Sequence, residues 1–195
     1  MYQPFYIGNR FRIVPPGFSS TIDGQINLVM QRGAFGSGEH ETTGSCLELL
    51  ETLPELTGAK VLDLGSGTGI LAIAALKLGA NRAICVDIEE KAVETAKVNC
   101  ALNKVDDQAT HIVGNLNDIP ERGFDLILAN IYGDILLSLA PILAEKAKSG
   151  AVLILSGILW EDNFEVRQTY ERQGCVVIKN RILEEFSSLL LKKSL

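Results

Sequence analysis

Helical and strand-like hydrophobic patterns alternate along the chain from about residue 41 to its end. In the first helical stretch, Cys46, Leu49, Leu50 and Leu53 fall at helical spacing and predict one buried face. The central strand-length segments are continuous apolar runs instead, as expected for parallel strands covered on both faces. The predicted helices span 42–53, 70–78, 89–103, 133–148 (which Gly150 ends) and 161–173. The predicted strands span 60–64, 82–88, 111–113, 124–131, 151–155, 175–182 and 187–192.

The order of these elements predicts an α/β fold with a mostly parallel seven-stranded sheet. No helix separates the strands at 175–182 and 187–192, so we expect a terminal hairpin whose last strand is antiparallel.

The first 30 residues have a different pattern. Short apolar runs flank Gly8-Asn9 and Asp23-Gly24, both of which are turn signals, and Pro15-Pro16-Gly17 ends the second run. We therefore expect a small N-terminal β appendage over residues 1–30 and one larger domain over residues 31–195.

Composition and charge exclude several classes of protein. The net charge of −6 argues against nucleic-acid binding driven by phosphate neutralisation. The longest apolar run, at 151–159, is too short to span a bilayer, and the N-terminus has no signal-peptide pattern. The four cysteines have no metal-binding spacing and read as buried apolar residues in a reducing compartment. We expect a cytoplasmic protein with no metal, no membrane contact and no direct nucleic-acid binding.

A glycine-rich turn between the first strand and the next helix is the strongest chemical signal. Gly65, Gly67 and Gly69 follow the apolar strand, and Asp87 ends the next strand, 22 residues beyond Gly65. Glycines let a ligand approach the backbone, and an acid at this place can accept the hydroxyls of a ribose. The pattern predicts an adenosine-containing cofactor.

Two cofactor classes use such a site: the nicotinamide dinucleotides and S-adenosylmethionine. Asp63 lies two residues before Gly65, where a carboxylate would repel a pyrophosphate but would suit a cationic ammonium or sulfonium. The spacing is GxGxG rather than the dinucleotide GxGxxG. Both features favour S-adenosylmethionine. Asp63 has an alternative interpretation as a structural acid that caps backbone amides.

Two further segments carry candidate site residues. The stretch at 33–43, GAFGSGEHETT, combines flexible glycines with Phe35 and with Thr43 at the start of a helix. Asn130 ends the fourth strand, where side chains of a parallel sheet face the ligand crevice. The ordinary interpretations are that Phe35 is a core residue and that Thr42 or Thr43 is a helix cap.

These motifs together resemble the bacterial lysine methyltransferases of the eleventh large-subunit ribosomal protein, the PrmA family. The family pattern AFGTGxHxTT stands here as AFGSGEHETT at 34–43, and ANIL stands as ANIY at 129–132. The resemblance covers roughly residues 30–175. It implies a Rossmann-like class I fold, S-adenosylmethionine as cofactor and a ribosomal protein as substrate.

The resemblance also assigns roles to particular residues. It implies that Thr43, Gly65, Asp87 and Asn130 contact S-adenosylmethionine and that Phe35 packs over it. The family carries a separate N-terminal substrate-recognition domain, and this chain has only the short β appendage. That leaves open a catalytic-domain version of the family enzyme, or a methyltransferase of another protein or of a small molecule. A non-catalytic binding module and a nicotinamide oxidoreductase are disfavoured alternatives.

The expected chemistry is an in-line attack by an amine on the sulfonium methyl group. We expect the Asn130 side-chain carbonyl and the Ile131 backbone carbonyl to orient the amine, which makes Asn130 the catalytic candidate. The cofactor candidates from the motifs and their chemistry are Phe35, Thr43, Asp63, Gly65, Gly67, Asp87, Asn115 and Asn130.

Three residues keep competing interpretations. Asn115 would contact the adenine edge or form a turn. His40, with Glu39, would carry a proton to solvent or bond to the backbone, and Tyr132 would line the acceptor channel or simply pack there. We expect His111 to be structural.

Overall fold

The fold was obtained as a computed structural model, which describes residues 2–18, 20, 22–31 and 39–194. We number strands and helices in chain order. The strands are β1 (Phe5–Ile7), β2 (Phe11–Val14), β3 (Ile26–Val29), β4 (Lys60–Leu64), β5 (Arg82–Asp87), β6 (Ala109–Val113), β7 (Phe124–Asn130), β8 (Ala147–Leu159), β9 (Cys175–Ile182) and β10 (Phe186–Lys193). The helices are α1 (Glu41–Leu50), α2 (Ile70–Lys77), α3 (Glu90–Leu102), α4 (Gly133–Lys146) and α5 (Asn163–Arg172).

Seven strands form the main sheet in the order β6-β5-β4-β7-β8-β10-β9. Neighbours from β6 to β8 pair in parallel, and β10 is antiparallel to both β8 and β9. The predicted α/β fold with an antiparallel last strand is confirmed. Side chains on opposite faces of the central strands enter two separate buried clusters, which is why these strands read as continuous apolar runs.

The predicted end of the fourth long helix is wrong. α4 ends at Lys146, and β8 begins at Ala147, so Gly150 lies inside a strand instead of ending a helix. The physical reason is tertiary: Ala147 pairs with Phe124 of β7, and the buried Lys146 ammonium donates to the Ile119 and Glu121 carbonyls. These contacts outweigh the local helical pattern of 147–148. The other helices and strands differ from the predictions by no more than three residues at either end, apart from β8, which extends beyond the predicted 151–155 at both ends.

The N-terminal segment forms a three-stranded sheet in the order β1-β2-β3. β1 and β2 make the expected antiparallel hairpin, whereas β3 lies parallel to β2. Phe11, Ile13 and Leu28 are fully buried in the cluster that also contains α1 and α2. Because this core is continuous with the main domain, the boundary at residue 30 stays a prediction.

All four cysteines are free and buried, as expected. Burial raises the pKa of the Cys46 and Cys100 thiols to about 12, so they stay protonated and behave as small apolar groups. Among the helices described, none is both long enough and apolar enough to cross a membrane.

Candidate functional site

A cavity of about 860 Å³ lies at the carboxyl ends of the parallel strands. This is the place where open α/β sheets bind ligands. Its wall brings together Gly65 and Gly67 after β4, Asp87 at the end of β5 and Asn115 after β6. Four of the sequence-predicted cofactor residues therefore line one crevice. Within the described residues, no cluster of side chains is suited to hold a metal ion.

The backbone N–H groups at the start of the glycine loop donate hydrogen bonds within the protein. The Gly65 and Ser66 N–H groups both donate to the Val86 carbonyl, at 2.8 and 3.0 Å, and the Gly67 N–H donates to Asp87 Oδ2 at 2.8 Å. Gly65 and Gly67 have positive φ angles, of 69° and 53°. These N–H groups are thus already engaged, which is the opposite of a loop that cradles a pyrophosphate with free backbone amides.

Asp63 is buried beneath this loop. It is 1% exposed, and its Oδ2 accepts the Ala72 N–H in the first turn of α2 at 3.1 Å. Burial raises the pKa of this carboxyl to about 7, and the negative charge of Asp87 adds to the effect. These contacts correspond to the helix-capping role that the sequence left open. The residues at this point of the described cavity wall are Leu64 and Gly65, and not Asp63. A direct contact between Asp63 and a cofactor stays a prediction.

Asp87 joins the loop to the next helix. Its Oδ2 accepts the Gly67 N–H, and its Oδ1 accepts the Glu89 N–H at 3.0 Å. The residue is partly exposed and faces the cavity, so the carboxylate keeps lone pairs for a ligand hydroxyl.

Asn115 forms a turn and also faces the cavity. Its Oδ1 accepts the Asn117 N–H at 2.9 Å, and Asp118 completes a capping box by accepting the Asn115 N–H. The carbonyl end is used by the turn, whereas the side chain remains exposed in the cavity wall.

Asn130 is held by the two threonines of α1. Its Nδ2 donates to Thr42 Oγ1 at 3.2 Å and to Thr43 Oγ1 at 3.4 Å. His40 fixes this orientation because its Nδ1 accepts the Thr42 N–H and lies 2.8 Å from Thr42 Oγ1. The Thr42 hydroxyl therefore donates to His40 and accepts from the Asn130 amide. The Asn130 Oδ1 is left facing away from the threonines. Thr43 thus contacts Asn130, while a contact between Thr43 and a cofactor stays a prediction.

Ile131 connects Asn130 to the cavity. Its side chain lines the cavity and lies directly over the glycine loop, where a Cβ at Gly65 would overlap the Ile131 Cγ2. Its N–H donates to the Ser156 carbonyl at 3.0 Å. This residue places the end of β7 beside the loop that follows β4.

The remaining candidates have structural surroundings. His40 is the N-cap of α1, and its ring packs edge-on against Phe186 with a centroid distance of 5.4 Å. His111 lies on the edge strand β6, where burial and the nearby Lys97 lower its pKa. Tyr132 is the N-cap residue of α4 and is 68% exposed. Phe35 lies outside the described residues.

Sequence reasoning missed the apolar part of the cavity wall. Ile88 follows Asp87 and is 78% exposed, and Val98, Ile135 and Leu139 line the same cavity from α3 and α4. The sequence did offer a signal for Ile88, because this residue directly follows Asp87, the acid that ends β5. The others had none, because helix packing alone brings them to the crevice.

The strand order, the antiparallel β10 and the glycine loop with Asp87 define the Rossmann-like fold class of S-adenosylmethionine-dependent methyltransferases. Within that class, a family model described as "Ribosomal protein L11 methyltransferase (PrmA)" matches residues 1–194. The chain belongs to this family.

Individual relatives agree with this assignment. The chain is 42% identical over 191 residues to a ribosomal protein L11 methyltransferase of Pseudomonas aeruginosa (strain LESB58), which covers 92% of this chain and 64% of that protein. It is 40% identical over 202 residues to one of Pelobacter propionicus, covering 99% and 64%. These relatives are thus longer proteins, of which the chain spans about two thirds.

A crystal structure of a ribosomal protein L11 methylase from Lactobacillus delbrueckii subsp. bulgaricus has the same fold. It superposes with a TM-score of 0.87 at 28% identity and covers 99% of this chain and 98% of that chain. The similarity extends over the N-terminal sheet as well as the main domain.

Proposed function

We propose that this chain is an S-adenosylmethionine-dependent N-methyltransferase that acts on amino groups of a ribosomal protein, large-subunit protein L11. One observation carries the proposal: the Asn130 amide nitrogen is engaged by Thr42 and Thr43, which leaves its Oδ1 free to accept an N–H of an incoming amine. Family membership supports the substrate, since the matched relatives are named for it.

The cavity fits the proposed cofactor. Its volume of about 860 Å³ suits a ligand of this size, and Asp87 would accept hydrogen bonds from the ribose hydroxyls. The exposed Ile88 offers apolar surface to an adenine ring, and the buried Leu116 and the exposed Asn115 line the same wall. The engaged amides of the glycine loop speak against a dinucleotide pyrophosphate in the same place.

S-adenosylmethionine, when bound, supplies a methyl group on a positively charged sulfur. That methyl group would pass to the lone pair of an amine, and the S–C bonding electrons would leave on sulfur as a thioether. The amine must be neutral to attack, and Asn130 Oδ1 with the Ile131 carbonyl would accept its N–H bonds and aim its lone pair. Alignment of this kind supplies much of the rate acceleration in transfer reactions. The proton lost from nitrogen goes to solvent.

The test separates chemistry from cofactor binding. Purified, unmethylated protein L11 is incubated with labelled S-adenosylmethionine and either the wild type or Asn130→Ala. We expect roughly a 100-fold or larger loss of kcat in the variant, because an oriented acceptor at the reacting centre is removed. The Kd for the cofactor, measured by calorimetry, should change less than about threefold, since the residues proposed to hold the ribose are intact.

Asn81→Ala is the matched control, because Asn81 is an exposed asparagine in the turn before β5. Unchanged turnover in Asn130→Ala would remove Asn130 from the proposed chemistry. If the label appears on another protein or on a small molecule and not on L11, the proposed substrate is wrong, but the proposed methyl-transfer reaction stands.

A further inference from the structure

β8 contains an irregularity beside Asn130. Ile158 pairs with Ser187 of β10 and Leu155 pairs with Leu189, so β8 advances three residues while β10 advances two. The extra residue lies at Ser156-Gly157, opposite Ser188, and Gly157 has a φ of +79°. A glycine in the left-handed region with one additional residue is the geometry of a glycine β-bulge, a device that is common next to active sites.

The bulge brings the Gly157 backbone against both proposed acceptors. A Cβ added at Gly157 would lie 2.7 Å from the Ile131 carbonyl oxygen and 3.2 Å from Asn130 Oδ1. The first distance is shorter than real Cβ contacts, and the opposing atom belongs to the backbone, which cannot rotate away as a side chain can. Any side chain at 157 would therefore displace Ile131, Asn130 or β8 itself.

The Ile131 side chain packs against the glycine loop. It lies over Gly65, where an added Cβ would overlap its Cγ2. The Ile131 N–H is also bonded to the Ser156 carbonyl, the residue before the bulge glycine. Ile131 thus lies between Gly65 and Gly157, so a larger residue at 157 would have to displace it towards the glycine loop.

We propose that Gly157 is a positioning residue for methyl transfer. Because it carries no side chain inside the bulge, Asn130 Oδ1 and the Ile131 carbonyl can occupy neighbouring places from which both reach one amine nitrogen. This inference rests on the proposed function and adds to it the residue that sets the spacing of its two acceptors.

The experiment compares Gly157→Ala with Gly123→Ala. Gly123 precedes β7, at the end opposite Asn130, and has a φ of +73° with nothing within 4 Å of its added Cβ. Both variants therefore place an alanine in the same unfavourable backbone region, but only one contacts the acceptors. The readouts are kcat with unmethylated protein L11, the calorimetric Kd for S-adenosylmethionine and the melting temperature.

We expect Gly157→Ala to lose roughly 100-fold in kcat, because a misplacement of about 1 Å at the reacting centre has an effect of that size. Its cofactor Kd should stay within about threefold of the wild type, and Gly123→Ala should keep both parameters. Full activity of Gly157→Ala overturns the inference. A wild type that transfers no methyl group to any substrate overturns the proposed function, and the inference with it.

A double variant tests whether Gly157 acts through Asn130. If it does, Asn130→Ala combined with Gly157→Ala should lose much less activity than the product of the two single losses. Losses that multiply would show that Gly157 does not act through Asn130, and would overturn the proposal that it places both acceptors.

Ser188→Ala provides a milder perturbation, and this test stands even if the Gly157→Ala variant does not fold. It removes the hydroxyl that lies 2.6 Å from Ser156 Oγ across the bulge and leaves the glycine in place. We expect kcat to fall several-fold with the cofactor Kd unchanged. If kcat is unchanged, the bulge does not position the acceptors and the inference fails.

Discussion

Asp87 engages two backbone N–H groups and still faces the cavity, so its substitution has two consequences. Asp87→Ala removes the proposed acceptor of the ribose hydroxyls and releases Gly67 from the strand end. We expect the calorimetric Kd for S-adenosylmethionine to rise roughly 100-fold, since hydrogen bonds to a charged group contribute about 1.5–3 kcal/mol each.

The matched control for Asp87→Ala is Asp107→Ala, an exposed aspartate in the short turn before β6. It should bind the cofactor as the wild type does. Wild-type affinity in Asp87→Ala would mean that the ribose is held elsewhere.

Asp63 predicts a pH dependence of stability. Its pKa is about 7 in the folded protein against 3.8 in the unfolded chain, so the folded state holds the proton more tightly. Its contribution to stability is therefore fully present below about pH 4 and is lost as the pH rises through 7. Between pH 6 and 8 the free energy of unfolding should fall by about 1 kcal/mol from this group alone.

Asp63→Asn keeps an oxygen for the Ala72 N–H and removes the titration. We expect chemical denaturation of this variant to show a flatter stability profile from pH 6 to 8 than the wild type. Identical profiles for the two proteins would mean that Asp63 titrates at its ordinary pKa in the folded state.

At the level of secondary-structure elements, α3 connects the N-terminal sheet to the glycine loop. Asn99 is fully buried: its Oδ1 accepts the Gln31 N–H at 2.8 Å, and its Nδ2 donates to the Thr68 carbonyl at 2.9 Å. One turn later, Asn103 makes two hydrogen bonds to the Val29 backbone. These amides take the place of a neighbouring strand, which explains how β3 is held beside a helix.

Asn99→Ala would leave the Gln31 N–H and the Thr68 carbonyl without these hydrogen bonds. We expect a loss of about 2–3 kcal/mol in unfolding free energy, and a melting temperature about 4–12 °C lower. Asn81→Ala, the exposed control, should stay within about 0.5 kcal/mol of the wild type. A similar stability for both variants would contradict the connecting role of α3.

At the scale of the whole molecule, ligand binding and folding are coupled, because the cavity is assembled from the ends of β4 to β7 and from α3 and α4. A ligand that binds only the folded protein stabilises it by mass action. At about 100 times its Kd, S-adenosylmethionine should raise the melting temperature by about 5–10 °C. NADH at the same concentration should leave it unchanged, and a larger shift with NADH would favour an oxidoreductase.

How far the sequence predicts this protein differs between its parts. The predicted bounds of β4 and β9 agree with the structure, and Asp87 with the glycines follows from a strand–turn–helix pattern. The role of Asp63 does not follow, since its charge suggests a ligand contact while its burial makes it a helix cap. The start of β8 was missed because its pairing with β7 depends on residues more than twenty positions away.

The sequence by itself determined the alternation of strands and helices, the glycine loop, its acid and the resemblance to a family, since all of these are local patterns of residue type. Only the tertiary structure decided that β3 lies parallel to β2, that Thr42 and Thr43 orient Asn130, and that a bulge at Gly157 brings the chain against Ile131. The physical reason is the same in each case. These contacts join residues far apart in the chain, and their geometry depends on how the strands align when the sheet forms.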